Sequence, residues 1–160
     1  MFGTYSLEAD LENEVATFCR DLLAGTNSVV VRQFGVDIAI FAPRQTRFIE
    51  VKAFTTFGCC GFGDRSGGTQ LDLLWHKRRK SARTADELSV FDGQIRWLLC
   101  KKDMPPGTHR VSFFNCSQAS AAAMGELRSG KQNNFRLSRL GWIDDAAMET
   151  ELTLFIRSGA

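Results

Sequence analysis

A chain of 160 residues, 44% apolar and 24% charged, has the size and composition of one soluble globular domain with a single core. No apolar run approaches the ~20 residues that cross a bilayer, which excludes a membrane-spanning reading. The net charge of +2 is nearly neutral and by itself says nothing about nucleic acid; the distribution of charge says more.

The opening MFGTYSLEADLE has neither a basic n-region nor an apolar h-region, so a cytoplasmic location is expected. The five cysteines, Cys19, Cys59, Cys60, Cys100 and Cys116, form no zinc-type C-x2-C pairs and only two histidines accompany them. They read as ordinary thiols of a reducing compartment.

Leu7 to Leu23 reads as the first helix. Leu11, Val15, Phe18 and Leu22 make an apolar stripe of helical period, Ser6 can cap the start, and Glu8, Asp10 and Glu12 suit the positive end of the helix dipole. Gly25 ends it. The period then changes: Ser28–Arg32, Val36–Phe41 and Arg47–Phe54 read as strands, the last two joined as a hairpin through Ala42–Thr46.

Residues 55–68 are a Gly-rich loop, of a length that is more often functional than accidental. A second helix is expected from Thr69 to about Leu88, with Leu71, Leu74 and Trp75 on its apolar side. Gln94–Cys100 and Arg110–Cys116 read as strands, with Pro105-Pro106-Gly107 turning between them, and Ser117–Leu127 as an Ala-rich helix. Farther on, Asn134–Leu137 reads as extended, Asp144–Thr150 as helical and Glu151–Arg157 as extended. Trp97 and Trp142 read as core. The order predicts a single α/β domain over 1–160, a mixed sheet flanked by helices, with its core at about 7–116 and a C-terminal elaboration at 117–160.

Alternation along the third strand turns Glu50 and Lys52 to one face with Phe48 and Phe54, while Ile49, Val51 and Ala53 take the other. Both faces are otherwise apolar, so a carboxylate and an ammonium in mid-strand need a reason. Their backbones are about 6.6 Å apart, and the side chains can converge on one small ligand. Asp37 raises the same question between Val36 and Ile38, where an unpaired buried carboxylate costs several kcal/mol. If the hairpin brings Asp37 beside Glu50, the two carboxylates repel, and a divalent cation such as Mg2+ or Mn2+ resolves the repulsion. Lys52 then stands where it can orient a water or stabilise charge on a phosphoryl transition state. The plainer alternative is an ion pair in which Lys52 neutralises Glu50 or Asp37. Three converging charges favour a site over it.

Val36-Asp37 followed, thirteen positions on from the aspartate, by Glu50-Val51-Lys52 resembles the PD-(D/E)XK nuclease signature, with Val in place of Pro. The helix carrying Glu12-Asn13-Glu14-Val15 and the Val-rich strand ending in Arg32 resemble the opening of archaeal Holliday-junction resolvases in that superfamily. The resemblance covers residues 8 to 54, a third of the chain. It implies a restriction-endonuclease-like core, Mg2+ held by Asp37, Glu50 and the Val51 carbonyl, and Lys52 as catalytic base or water-orienting group. It also implies a first-helix glutamate near the metal, for which Glu12 matches best and Glu14 is the rival; an exposed helix-start carboxylate is the plainer alternative for either. Gln70 matches a glutamine that several branches turn toward the site, and a solvent-facing helix start suits it as well.

Lys77, Arg78, Arg79, Lys80 and Arg83 place five positive charges within seven residues of the second helix. Such a run is normally a solvated face, yet this helix leaves the Gly-rich loop beside the expected site, so these residues, with Arg32, are candidates for DNA phosphate contact. The expected function is Mg2+-dependent hydrolysis of DNA phosphodiesters, of junction-resolving, homing or restriction type, by a homodimer whose alternating segment Glu151–Arg157 a partner could cover. The alternatives are a non-cutting DNA-binding module on the same fold and an unrelated α/β protein with a structural ion pair.

Overall fold

The computed structural model describes residues 2–4, 7–32, 36–55, 58–62, 91–125 and 133–158. Ser6 and the expected second helix, with Gln70, Trp75, Lys77, Arg78, Arg79, Lys80 and Arg83, lie outside them.

Helix α1 (Glu8–Leu22) buries Leu11, Glu12, Val15, Ala16 and Cys19, and its first turn carries Glu8 and Asp10. Leu7 stands at the N-cap without a side-chain bond, so the acidic first turn answers the exposed N–H groups electrostatically. Strands β1 (Val29–Arg32), β2 (Ile38–Phe41), β3 (Arg47–Phe54), β5 (Ile95–Lys101) and β6 (Val111–Phe114) form one mixed sheet in the order β1-β2-β3-β5-β6. The first three are antiparallel, β3 and β5 run parallel, and β6 returns antiparallel.

The alternation read in β3 sorts the core into two layers. On one face Phe48 and Phe54 join Ala39, Trp97, Leu99 and Phe114. On the other, Ile49, Val51 and Ala53 join Ile38, Ile40 and Leu98, covered by α1 and by helix α3 (Asp145–Arg157). The first face is covered by helix α2 (Cys116–Ala122) and by a two-stranded antiparallel ribbon of β4 (Cys59–Phe62) with β7 (Asn133–Arg136). Phe135 of β7 is fully buried against Trp97 and Phe114, at ring separations of 6.1 and 5.6 Å.

Three expectations are corrected. The stretch read as a continuous Gly-rich loop holds strand β4. The helix expected over Ser117–Leu127 stops at Ala122, because Ala123 turns extended and bridges to Phe135. Glu151–Arg157 is not extended: it completes α3, which starts at an Asp144 cap accepting the Ala147 N–H at 2.9 Å. Met148, Leu152, Phe155 and Ile156 are its buried residues, a helical stripe that also passes for alternation over the last few positions. Those side chains are therefore covered by the chain's own sheet. Trp97 is core as expected, whereas Trp142 is half-buried at the core's margin, with its ring edge-on to Phe54 at 5.4 Å.

Candidate active site

The site grows from a mismatch in strand length. β2 pairs with β3 only from Ile38↔Ile49 to Ile40↔Arg47, so β3 runs on past its neighbour. The next rung of that register sets Asp37 opposite Glu50. Phe48 gives its N–H to Gln94, on the β5 side, so the odd-numbered N–H groups of β3 face β2. Beyond the end of β2, Val51 and Ala53 would lose their partners, and unpaired backbone donors near a core are costly. Carboxylates fill both vacancies. Val51 donates its N–H to Asp37 Oδ2 at 2.7 Å, and Ala53 donates to Glu8 Oε2 at 3.0 Å.

The aspartate is clamped in turn, since its own N–H donates to the Glu50 carboxyl. Lys52, on the same face as Glu50, reaches Glu8, with Nζ 3.3 Å from Oε1 and 3.2 Å from Oε2. One turn along α1, Glu12 is buried and bound by Arg32 Nη2 at 2.8 Å, while Arg32 Nη1 donates to Asn13 Oδ1. Glu8, Glu12, Asp37 and Glu50 thus share one neighbourhood with two cations, Lys52 and Arg32.

Two of these carboxyls hold their protons unusually tightly. Burial pushes Asp37 up from 3.8 to about 7, and the charges of Glu12 and Glu8 add to it against the Val51 hydrogen bond and Lys52. Burial also carries Glu50 well above the carboxylate range, with Asp37 the next cause and Glu8 and Glu12 behind it. Burial and the neighbouring carboxylates therefore both favour the protonated forms of Asp37 and Glu50.

Such a pair fits a hard divalent cation. Mg2+ commonly takes one or two carboxylates and completes its shell with water. The Val51 carbonyl lies on the same open edge as the Val51 N–H, because both groups of one residue point the same way in an antiparallel strand. Asp37, Glu50 and that carbonyl are the donors the arrangement offers. Among the described residues no three His, Cys, Asp or Glu side chains gather around one point.

Asp37 and Glu50 lie together with Glu12 near them, while Lys52 acts on Asp37 through its charge and pairs its ammonium with Glu8. Glu14 is not: it accepts the Gly3 N–H at 2.8 Å on another side of α1, and burial raises its proton affinity there. Arg32, expected at phosphate, is engaged with Glu12 and Asn13. Glu8 is the residue that sequence reasoning missed, having been assigned to the helix dipole alone. The signal was its spacing of four from Glu12, which puts both carboxylates on one side of the helix. Comparison of the chain with known protein families, with curated proteins and with solved structures finds no match, so the site's residues carry the functional argument.

Proposed function

We propose that this chain is a divalent-cation-dependent DNA endonuclease with a restriction-endonuclease-like core of the PD-(D/E)XK type. The observation that carries the reading is the Asp37–Glu50 pair at the overhang of β3, locked by two backbone hydrogen bonds and raised in proton affinity by burial and by neighbouring carboxylates. A bound Mg2+, or Mn2+ in its place, would neutralise that pair and polarise the phosphoryl group of the substrate. Asp37, Glu50 and the Val51 carbonyl would hold it. Lys52 would orient the attacking water and stabilise charge gathering on the phosphoryl oxygens. Glu8 would hold the Lys52 ammonium in place, and Arg32 would hold the Glu12 carboxylate.

The test couples cleavage to thermal stabilisation by Mg2+. Asp37→Ala and Glu50→Ala are expected to lose both, because each removes an oxygen donor. Lys52→Ala is expected to lose cleavage and keep the stabilisation, since an ammonium is no ligand. Normal cutting by Lys52→Ala would overturn the assignment. A cleavage panel of supercoiled plasmid, linear duplex, four-way junction, single strand and RNA identifies the substrate. One observation favours a plainer rival: Asp37 and Glu8 already have structural work in capping the N–H groups of Val51 and Ala53. If that is their whole role, Mg2+ and Mn2+ leave the melting temperature unchanged.

A further inference from the structure

Strand β6 is one edge of the main sheet, and its outer side is only partly covered. Val111 exchanges both backbone hydrogen bonds with Ile143, at 3.0 and 2.8 Å, and that bridge stands alone. In an antiparallel ladder every second residue turns both its backbone groups to the same neighbour. Phe113 is therefore the next residue whose N–H and C=O face outward, and Gly141 is the position that would meet it. That rung does not form. The turn at Leu137–Arg139 and the buried Leu140 draw the chain aside, and the Trp142 indole N–H ties it back to the Leu137 carbonyl at 3.0 Å. A cleft of about 320 Å3 opens instead, lined by Phe113 and by Gly141.

The walls of the cleft carry opposite charges on opposite faces of the sheet edge. Phe113 turns its side chain toward α3, where its ring meets Phe155 at 5.7 Å. Glu151 lines the cleft one turn before Phe155 on that helix and is exposed. Phe114 points the other way and packs with Cys116 and Ala119 of α2. Arg139 lines the cleft on that side, where it donates to the Ala123 carbonyl at 3.4 Å, and it too is exposed. The strand itself, Val111-Ser112-Phe113-Phe114, has neither the charge nor the proline that commonly keeps an edge from pairing.

We propose that the cleft binds an extended peptide of a partner protein by strand addition, one peptide residue taking the rung that Gly141 leaves open at Phe113. Main-chain hydrogen bonds give such a complex its affinity, and side chains on alternate faces give it specificity. Paired residues point their side chains to the same face. The peptide residue opposite Phe113 thus turns toward α3 and Glu151, which selects lysine or arginine there. Its two neighbours turn toward α2 and Arg139, which selects aspartate or glutamate. The preferred segment reads acidic, basic, acidic. β6 lies two strands from β3, so this surface is independent of the Asp37–Glu50 site and of the nuclease reading.

The probe is a short fluorescent peptide of valine and threonine with a lysine between two aspartates at its centre, titrated with the full chain and read by anisotropy. It is expected to bind about tenfold more tightly than the peptide with an aspartate between two lysines. Methylating the backbone nitrogen of the central lysine removes the donor to the Phe113 carbonyl and is expected to weaken binding by about fivefold or more. The double variant Arg139→Glu with Glu151→Lys, its folding verified by melting, is expected to reverse the order of the two peptides. Hydrogen exchange at the Phe113 amide should slow when the peptide is added. No binding at millimolar peptide, equal binding of the methylated peptide, or an unchanged order in the double variant would each overturn the proposal. So would a Phe113 amide already protected without peptide, since the chain itself would then fill the rung. Displacement of the peptide by an equal concentration of free lysine or aspartate would mark a small-molecule site and overturn it as well.

Discussion

Asp37 and Glu50 are poorly placed for a protein that never meets a cation. At neutral pH each is partly buried beside the other, and such strain is tolerated mainly where it serves a task. Asp37→Asn and Glu50→Gln keep the shape and remove the charge. Both are expected to abolish cleavage and yet to raise the melting temperature of the cation-free protein at pH 8, by about 3 °C or more for each kcal/mol or so relieved. A fall in melting temperature for both would show that the charges are compensated after all. The pH dependence has a definite sign. The Asp37 carboxyl titrates near 7 in the folded chain and near its ordinary 3.8 when unfolded, so its protonation stabilises the fold below about 4 and that contribution is lost as pH rises to about 7. Cation binding runs the other way, because it must displace the proton. Calorimetry of Mg2+ binding is expected to show affinity rising from pH 6 to pH 8, with protons released to the buffer. In Asp37→Asn the slope of stability against pH over this window should flatten.

At the scale of elements, α3 is held by aromatic and guanidinium packing at the opposite end of β3. The Phe155 ring lies 4.8 Å from the Arg47 guanidinium and 4.7 Å from that of Arg96, and its edge meets Phe113 at 5.7 Å. Burial lowers the proton affinity of both arginines, and Arg96 adds to this at Arg47, yet neither loses its charge at any ordinary pH. Phe155→Ala is expected to cost about 3–4 kcal/mol in urea unfolding at unchanged m. Phe155→Leu should recover most of that and lose only the cation–π part, about 1 kcal/mol. Equal losses for the two would locate the stabilisation in the rings rather than in buried volume. The same helix shows where the sequence was legible. The first helix and the first three strands could be read because Leu11, Val15 and the Arg47–Phe54 run each obey a single period. Glu151–Arg157 obeys two, and packing on the sheet decided between them. Half of the ribbon escaped notice for another reason: Asn134–Leu137 reads as extended, but Cys59–Phe62 is a four-residue strand in a Gly-rich run, and its partner is far away in sequence. In the site, Asp37, Glu50 and Lys52 stood out as charges among apolar neighbours. Glu8 did not, because its partner is the N–H of Ala53, and a missing backbone partner becomes visible only when β2 ends before β3.

On the proposed nuclease reading, each chain brings one Asp37–Glu50–Lys52 site, while a duplex has two strands to cut. Two copies related by a two-fold axis would match the symmetry of the nucleic acid. The segment that could have joined them in free solution is α3, and its apolar residues Met148, Leu152, Phe155 and Ile156 are buried within one chain. Among the described residues the large apolar side chains left exposed are Leu7, Val29, Met124 and Leu154, and they fall on four separate segments. A lasting dimer needs about 800 Å2 of well-fitted surface on each partner, which four scattered side chains do not supply. The chain is therefore expected to be a monomer when free and to pair on its substrate. Sedimentation at micromolar concentration should give one copy without DNA and two copies on a duplex long enough for both. In plasmid cleavage, nicked circles should appear at a rate proportional to protein, and linear molecules at a rate that climbs more steeply as occupancy of the second strand grows. Double-strand breaks made in one binding event by a protein that stays monomeric on DNA would rule out pairing. A stable dimer in DNA-free buffer would instead place the joining surface outside the residues described.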